Sequence, residues 1–190
     1  MAGKATRRTP ERLVQLLQSV NPTAAGAHLA GLCHEAAAHL AGRVAPPPQE
    51  YVVGFLQDAG RQVLLLRKNR PAWQAGHLNG VGGKVEPGER PHEAMAREFH
   101  EETRCPWPIV WRLFARLIFP AAIVHCFSAD VETLPDLDGA MNDVGEEFIV
   151  TDIVNALSFD PRHGPIVANL RWLLPLAFLD PDRPVVEARG

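Results

Sequence analysis

The stretch GGKVEPGERPHEAMAREFHEETRC, residues 82–105, decides the fold of this chain. It opens as a glycine-rich loop and continues as an acidic helix. Pro91 suits the first helical turn, where its missing N–H costs no hydrogen bond. Ala94 to Glu102 holds good helix formers and neither Gly nor Pro. On that helix Glu98, Glu101 and Glu102 fall at i, i+3 and i+4, so their carboxylates share one face. Like charges at that spacing repel by roughly 0.2–0.5 kcal/mol per pair, and a cation is the expected remedy. Hard divalent cations such as Mg²⁺ take oxygen ligands and keep several waters and substrate phosphates besides. Met95 and Phe99, at i and i+4 on a different face, would pack the helix onto a core.

These residues resemble the Nudix box, G-x5-E-x7-R-E-U-x-E-E-x-G-U, with U a bulky apolar residue. Gly83, Glu89, Arg97, Glu98, Phe99, Glu101 and Glu102 fall in register, and Cys105 takes the last apolar position. Arg104 stands where the family has a glycine that ends the helix in a left-handed conformation. It is expected to use another cap. A solvated acidic helix face is the bland alternative, and it leaves the spacing to Gly83 and Glu89 unexplained.

The resemblance covers Tyr51 to about Leu179. It implies an α/β fold, a Nudix-type α/β/α sandwich with a mixed sheet. It also implies Mg²⁺-dependent hydrolysis of a nucleoside diphosphate linked to another moiety, with Mn²⁺ able to substitute. Glu101 and Glu102 are then metal ligands, alongside the backbone carbonyl of Gly82. Glu98 is a metal ligand or the general base, and Glu89 a secondary ligand or a partner for Arg97. Arg97 is grouped with the catalytic carboxylates in a structural role, since a guanidinium fork can hold a carboxylate and the loop in place. Lys84 contacts phosphate or is a solvated lysine. Many members take one more carboxylate from a distant loop, and Glu146 and Glu147, with Asp143 behind them, are the candidates here.

The segment Asn79-Gly80-Val81-Gly82-Gly83-Lys84 resembles the same segment in Nudix enzymes that hydrolyse oxidised purine nucleoside triphosphates. There the asparagine matching Asn79 reads the base edge, and an amide can both donate and accept. A plain Asn-Gly turn accounts for Asn79 equally well. Leu78 departs from the tryptophan often found at that position. The preferred substrate is a (deoxy)nucleoside triphosphate, normal or oxidised, cleaved to monophosphate and pyrophosphate. ADP-ribose, a nucleotide sugar or a dinucleoside polyphosphate is the alternative. A nucleotide sensor that does not hydrolyse is a third reading, against which the intact carboxylates argue.

Outward from the box, the strand signals are β-branched and aromatic runs at Tyr51–Gln57, 62–66, 109–118, 121–129 and 148–154. The first two form a hairpin about Asp58-Ala59-Gly60. Arg67, Lys68 and Arg70 at its end read as a solvated strand end or, for Lys68 in particular, as phosphate attraction. Pro71–Val81 reads as a long loop. Ile166 to Leu179 has apolar residues at helical spacing, with a kink expected at Pro175. Residues from Asp180 on read as loosely held.

Before the Nudix-like region, Pro10–Val20 and Ala24–Ala41 read as helices, and Pro46-Pro47-Pro48 as a stiff linker. His34 and His39 sit at i and i+5, about 140° apart at ~100° per residue, so they would not converge on a zinc. The division expected is 1–48 as a helical appendage and linker, 49–180 as the hydrolase domain and 181–190 as a tail. The appendage leaves open a homodimer contact, a cover over the active site and simple packing on the core.

Composition bounds the rest. A 190-residue chain with 46% hydrophobic and 22% charged residues can bury a proper core. A net charge of −3 gives no ground for nucleic-acid polymer or membrane affinity. No apolar run is long enough to span a bilayer, and no apolar segment follows Arg7 and Arg8 as in a secretory signal. Cys33, Cys105 and Cys126 are scattered without a C-x-x-C, which suggests reduced thiols and a cytoplasmic location.

Overall fold

Val52 to Leu56 are buried without interruption, as in a strand covered on both faces. They belong to β1 (Gln49–Asp58), the middle of a sheet whose covered faces belong to two helices. The structure, a computed structural model, describes residues 46–158, 164–179 and 184–190. Gln49–Gly190 forms one compact unit. The expected helices at 10–20 and 24–41, with His34 and His39, lie outside the described residues, as does Cys33.

β2 (Gln62–Arg67) turns back from β1, and β3 (Leu78–Asn79) is a short strand inside the expected 71–81 loop. Helix α1 (Pro91–Thr103) is the box helix. β4 (Arg112–Ile118) and β5 (Ala122–Val131) follow, then β6 (Glu147–Asp152). With β7 (Val186–Arg189) the sheet is seven-stranded in the order β3-β2-β1-β5-β4-β7, with β6 pairing β2 off that path. It is mixed: β1 runs parallel to β5 and β4 parallel to β7, whereas the other pairings are antiparallel. The expected α/β architecture with a mixed sheet holds.

Strand alternation sorts the core into two layers. Val52, Leu56, Leu64, Leu66, Phe127 and Phe148 lie on one face beneath Ala94, Met95 and Phe99 of α1. Val53, Phe55, Val63, Leu65 and Phe114 lie on the other beneath the closing helix α3 (Leu170–Leu179). A β-carbon on Gly54 would come within 2.6 Å of the Met95 side chain, so glycine there admits α1 close against β1. Cys105 and Cys126 are buried free thiols. No helix among the described residues is long and apolar enough to cross a membrane.

Several expectations need correction. The strand expected to run to Val154 stops at Asp152, whose carboxylate accepts the Val154 N–H at 2.7 Å and caps a short helix, α2 (Ile153–Leu157). The closing helix begins at Leu170, because Ile166 bridges Leu78 instead. The tail is not loose throughout: Val186–Arg189 forms β7 and extends the sheet beside β4. Arg104 uses no alternative cap. It takes the left-handed conformation itself, with φ 56° and ψ 16°, and its N–H reaches the His100 carbonyl. Its guanidinium pairs with Asp143.

A side chain in the left-handed region costs roughly 1–2 kcal/mol, and glycine escapes that cost. Arg104→Gly and Arg104→Ala both lose the Asp143 pair, but only glycine relieves the backbone. Arg104→Gly should therefore be the more stable of the two by ~1 kcal/mol, about 2–4 °C in melting temperature for a domain of this size. Equal melting temperatures would remove the strain from Arg104.

Candidate active site

The loop before α1 is pressed onto β1. The Val52 N–H donates to the Gly83 carbonyl at 2.9 Å, and Val81 exchanges backbone bonds with Gly54. Gly82 has φ 155°, and a β-carbon there would sit 2.1 Å from the Val52 carbonyl oxygen. No other residue fits that approach. The Gly82 N–H then donates to Glu102 Oε2 at 3.1 Å, which ties the loop to the acidic face of α1.

Arg97 organises the other carboxylates. Its Nε and Nη2 meet both oxygens of Glu89 at 2.9 and 3.0 Å, a bidentate pair. Nη2 also donates to the Lys84 carbonyl at 2.9 Å. Nη1 donates to Glu98 Oε1 at 2.9 Å and Glu101 Oε2 at 3.1 Å. Glu89 accepts the Glu86 N–H as well, so the guanidinium and that amide hold its carboxyl below the usual range. The guanidinium's own pKa is pushed further up by Glu89.

Glu98 and Glu102 are perturbed the other way. Burial raises Glu98 against the opposing pull of Arg97. Burial pushes Glu102 up to about 7, with Glu146 and Glu98 adding to the rise and Lys68 and the Gly82 amide resisting it. Lys68 Nζ lies 2.6 Å from Glu146 Oε2 and 3.7 Å from Glu102 Oε1. Its side chain is 12% exposed, so it is not the solvated strand end that its neighbours suggested.

Glu146 and Glu147 part company because strand neighbours point to opposite faces. Glu146 shares the α1 face with Phe148 and is buried beside Lys68. Glu147 faces the other way and pairs with Arg67 at 2.9 Å, so the structure does not bring it to the carboxylates of α1. Asp143 is engaged by Arg104 at the loop rim. The Lys84 side chain is exposed. Asn79 pairs with Leu66 in the sheet, which places it on the α1 face. Its Oδ1 accepts the Gly80 N–H at 2.8 Å and its Nδ2 donates to Gln74 Oε1 at 3.0 Å.

Gln74, Asn69 and Asn142 were not singled out from sequence, yet all three support this site. Asn142 Oδ1 accepts the Val144 and Glu146 N–H groups, and Asn69 donates through its backbone to Glu146 and through its side chain to the Val144 carbonyl. The Asn-Asp-Val-Gly run at 142–145 was the available signal, since an asparagine folding its own loop is a turn device. For Gln74 and Asn69 no such signal exists.

Could the site take a metal? Among the described residues no three His, Cys, Asp or Glu side chains already converge as ligands. Arg97 and Lys68 occupy the carboxylates instead. The donor set is nevertheless all oxygen, and burial together with the neighbouring Glu146 and Glu98 carboxylates raises the Glu102 pKa, a destabilisation that an added cation would relieve. An all-oxygen set of this kind fits a hard divalent ion.

A family model described as the NUDIX domain matches residues 47–170. Over 126 residues the chain is 28% identical to 8-oxo-dGTP diphosphatase of Escherichia coli (strain K12), covering 65% of this chain and 97% of that one. Among solved structures, a NUDIX hydrolase from Nitrosomonas europaea gives a TM-score of 0.56 at 16% identity, covering 76% of this chain and 81% of that one. The MutT protein from Methanosarcina mazei Go1 gives 0.55 at 20% identity, covering 74% and 99%. At these identities the structural likeness is one of fold.

The raised Glu102 has a consequence for metal-free protein. Its pKa rises from 4.5 to about 7 on folding, so between those values the folded state holds the extra proton. The group's contribution to stability is full below the lower value and is lost as pH rises through the higher one. With a chelator present, the stability of wild type relative to Glu102→Gln should fall by ~1–3 kcal/mol between about pH 5 and about pH 8. Urea denaturation at each pH reads the difference, and a constant difference would contradict the assigned shift.

Proposed function

The chain belongs to the NUDIX domain family as a pyrophosphohydrolase, and from that premise we propose that it hydrolyses a (deoxy)nucleoside triphosphate to the monophosphate and pyrophosphate, with Mg²⁺ as the working cation. The nucleoside triphosphate is normal or oxidised. One observation carries this reading: the Gly82 loop, the carboxylates of α1 and the Asn79 amide share one face of the sheet. The curated relative named 8-oxo-dGTP diphosphatase supports the choice of a triphosphate.

Glu101, Glu102 and the Gly82 carbonyl would hold the cation. When bound, it neutralises phosphate oxygens and lowers the pKa of water. Glu98 has one oxygen engaged by Arg97, which leaves the other to accept the proton of the attacking water. Burial raises its pKa and so makes it a better base. Water oxygen bonds to phosphorus as the bond to the pyrophosphate oxygen breaks. Arg97 fixes the direction of Glu98 and joins it to the loop through Glu89 and Lys84. Lys84, exposed at the loop, adds positive charge where the phosphates lie. Asn79, with one lone pair and one N–H committed to Gly80 and Gln74, keeps one of each for a base edge.

Glu102→Gln should leave the fold intact and cut turnover by at least ~100-fold. Assays with Mg²⁺ across common and oxidised nucleoside triphosphates, ADP-ribose, nucleotide sugars and dinucleoside polyphosphates, scored for pyrophosphate and phosphate, check this. Pyrophosphate from a triphosphate, lost in the variant, is the expected result. Cleavage of ADP-ribose or a dinucleotide alone would discard the triphosphate assignment. Binding of nucleotides without hydrolysis of any would favour a sensor.

Asn79→Ala should reduce discrimination among the bases by ~10-fold in kcat/KM, the worth of about one lost base-edge contact. Unchanged discrimination would return Asn79 to a plain turn residue.

A further inference from the structure

Lys68 follows directly on β2 and turns to the α1 face, as Leu66 does two residues earlier. Its ammonium lies between a carboxylate that is 1% exposed, Glu146, and one that is 15% exposed, Glu102. A buried carboxylate needs a compensating partner, and for Glu146 the Lys68 ammonium lies at 2.6 Å. The remaining acceptor positions of Glu146 face the protein. Asn69 N–H donates to Oε1 at 3.2 Å, and Asn142 Nδ2 approaches Oε2 at 3.5 Å. The Glu146 N–H is itself held by Asn142. Glu102 is committed on one side only: Oε2 takes the Gly82 N–H, and Oε1 faces Lys68.

We propose that Lys68 is the site's resident counter-ion, standing at Glu102 where a divalent cation must come to bind, and that Glu146 is a positioning residue that anchors Lys68 and does not ligate metal. This rests on the assignment of Glu102 as a metal ligand. An ammonium and a divalent ion cannot share the free Glu102 oxygen without strong repulsion in so dry a setting. Metal entry therefore has to push Lys68 off Glu102, while the shorter pair to Glu146 retains it nearby. The acidic face stays assembled without metal, and metal binding is weakened by the competitor.

Mn²⁺ binding to the full chain without nucleotide, followed by the loss of its free-ion electron paramagnetic resonance signal, tests this. Lys68→Met should bind Mn²⁺ about 10-fold tighter than wild type, and so should Lys68→Met/Glu146→Gln. The double variant also removes the unpaired buried charge that could unfold the single one, and cooperative thermal unfolding establishes that each is folded. Unchanged or weaker binding in folded Lys68 variants, while Glu102→Gln loses binding, overturns the proposal alone. Tightening in Lys68→Met that vanishes in the double variant makes Glu146 a ligand and overturns its positioning role. Wild-type affinity in Glu102→Gln removes the ligand assignment and the proposal with it.

Discussion

One guanidinium holds the acidic face of α1 and the loop before it together. Arg97 spans Glu89, Glu98, Glu101 and the Lys84 carbonyl, so a loop and a helix face become one rigid piece. Without a fixed cation, three carboxylates on neighbouring turns would repel each other and splay toward water. Its geometry also sets their tasks. Glu89 has both oxygens in the fork and is spent on structure, whereas Glu98 and Glu101 each yield one oxygen and keep the other.

Positioning of that piece falls to two glycines. Gly54 lets Met95 and with it α1 settle on β1, and Gly82 lets the loop backbone pass over the Val52 carbonyl. The close approach brings the Gly82 amide to Glu102 and buries that carboxylate. Burial then makes the charge expensive, and the Lys68 ammonium stands 3.7 Å away as a counter-charge. Packing of the helix and the electrostatics of the site are thus one problem solved at one place.

Much of this was legible in the sequence, for physical reasons. A helix with carboxylates at i, i+3 and i+4 must share them on one face, and a run such as Leu64–Leu65–Leu66 must be buried. Short-range signals were less complete. The Asp152 cap sits inside an apolar run whose strand signal masks it. Val186–Arg189 has too few residues to announce a strand, and only the free edge of β4 makes it one. Arg104 shows the limit of reading residue preference alone: the left-handed conformation that suits glycine persists with arginine because the helix end around it demands it.

Periodicity and spacing are properties of a local chain, so the box helix and the shared face of its carboxylates could be read from the residues, and the layered α/β class followed from the family resemblance those residues carry. What each carboxylate faces depends on packing between distant segments. Glu146 and Glu147 are adjacent in the chain and equivalent to any reading of it, yet one is buried against Lys68 and the other pairs with Arg67 across the sheet. Lys68 looked like a solvated strand end until β6 and α1 closed around it. Contacts between residues nearly eighty positions apart, such as Lys68 with Glu146, leave no trace in local pattern. They arise when strand register and helix packing fix which faces meet.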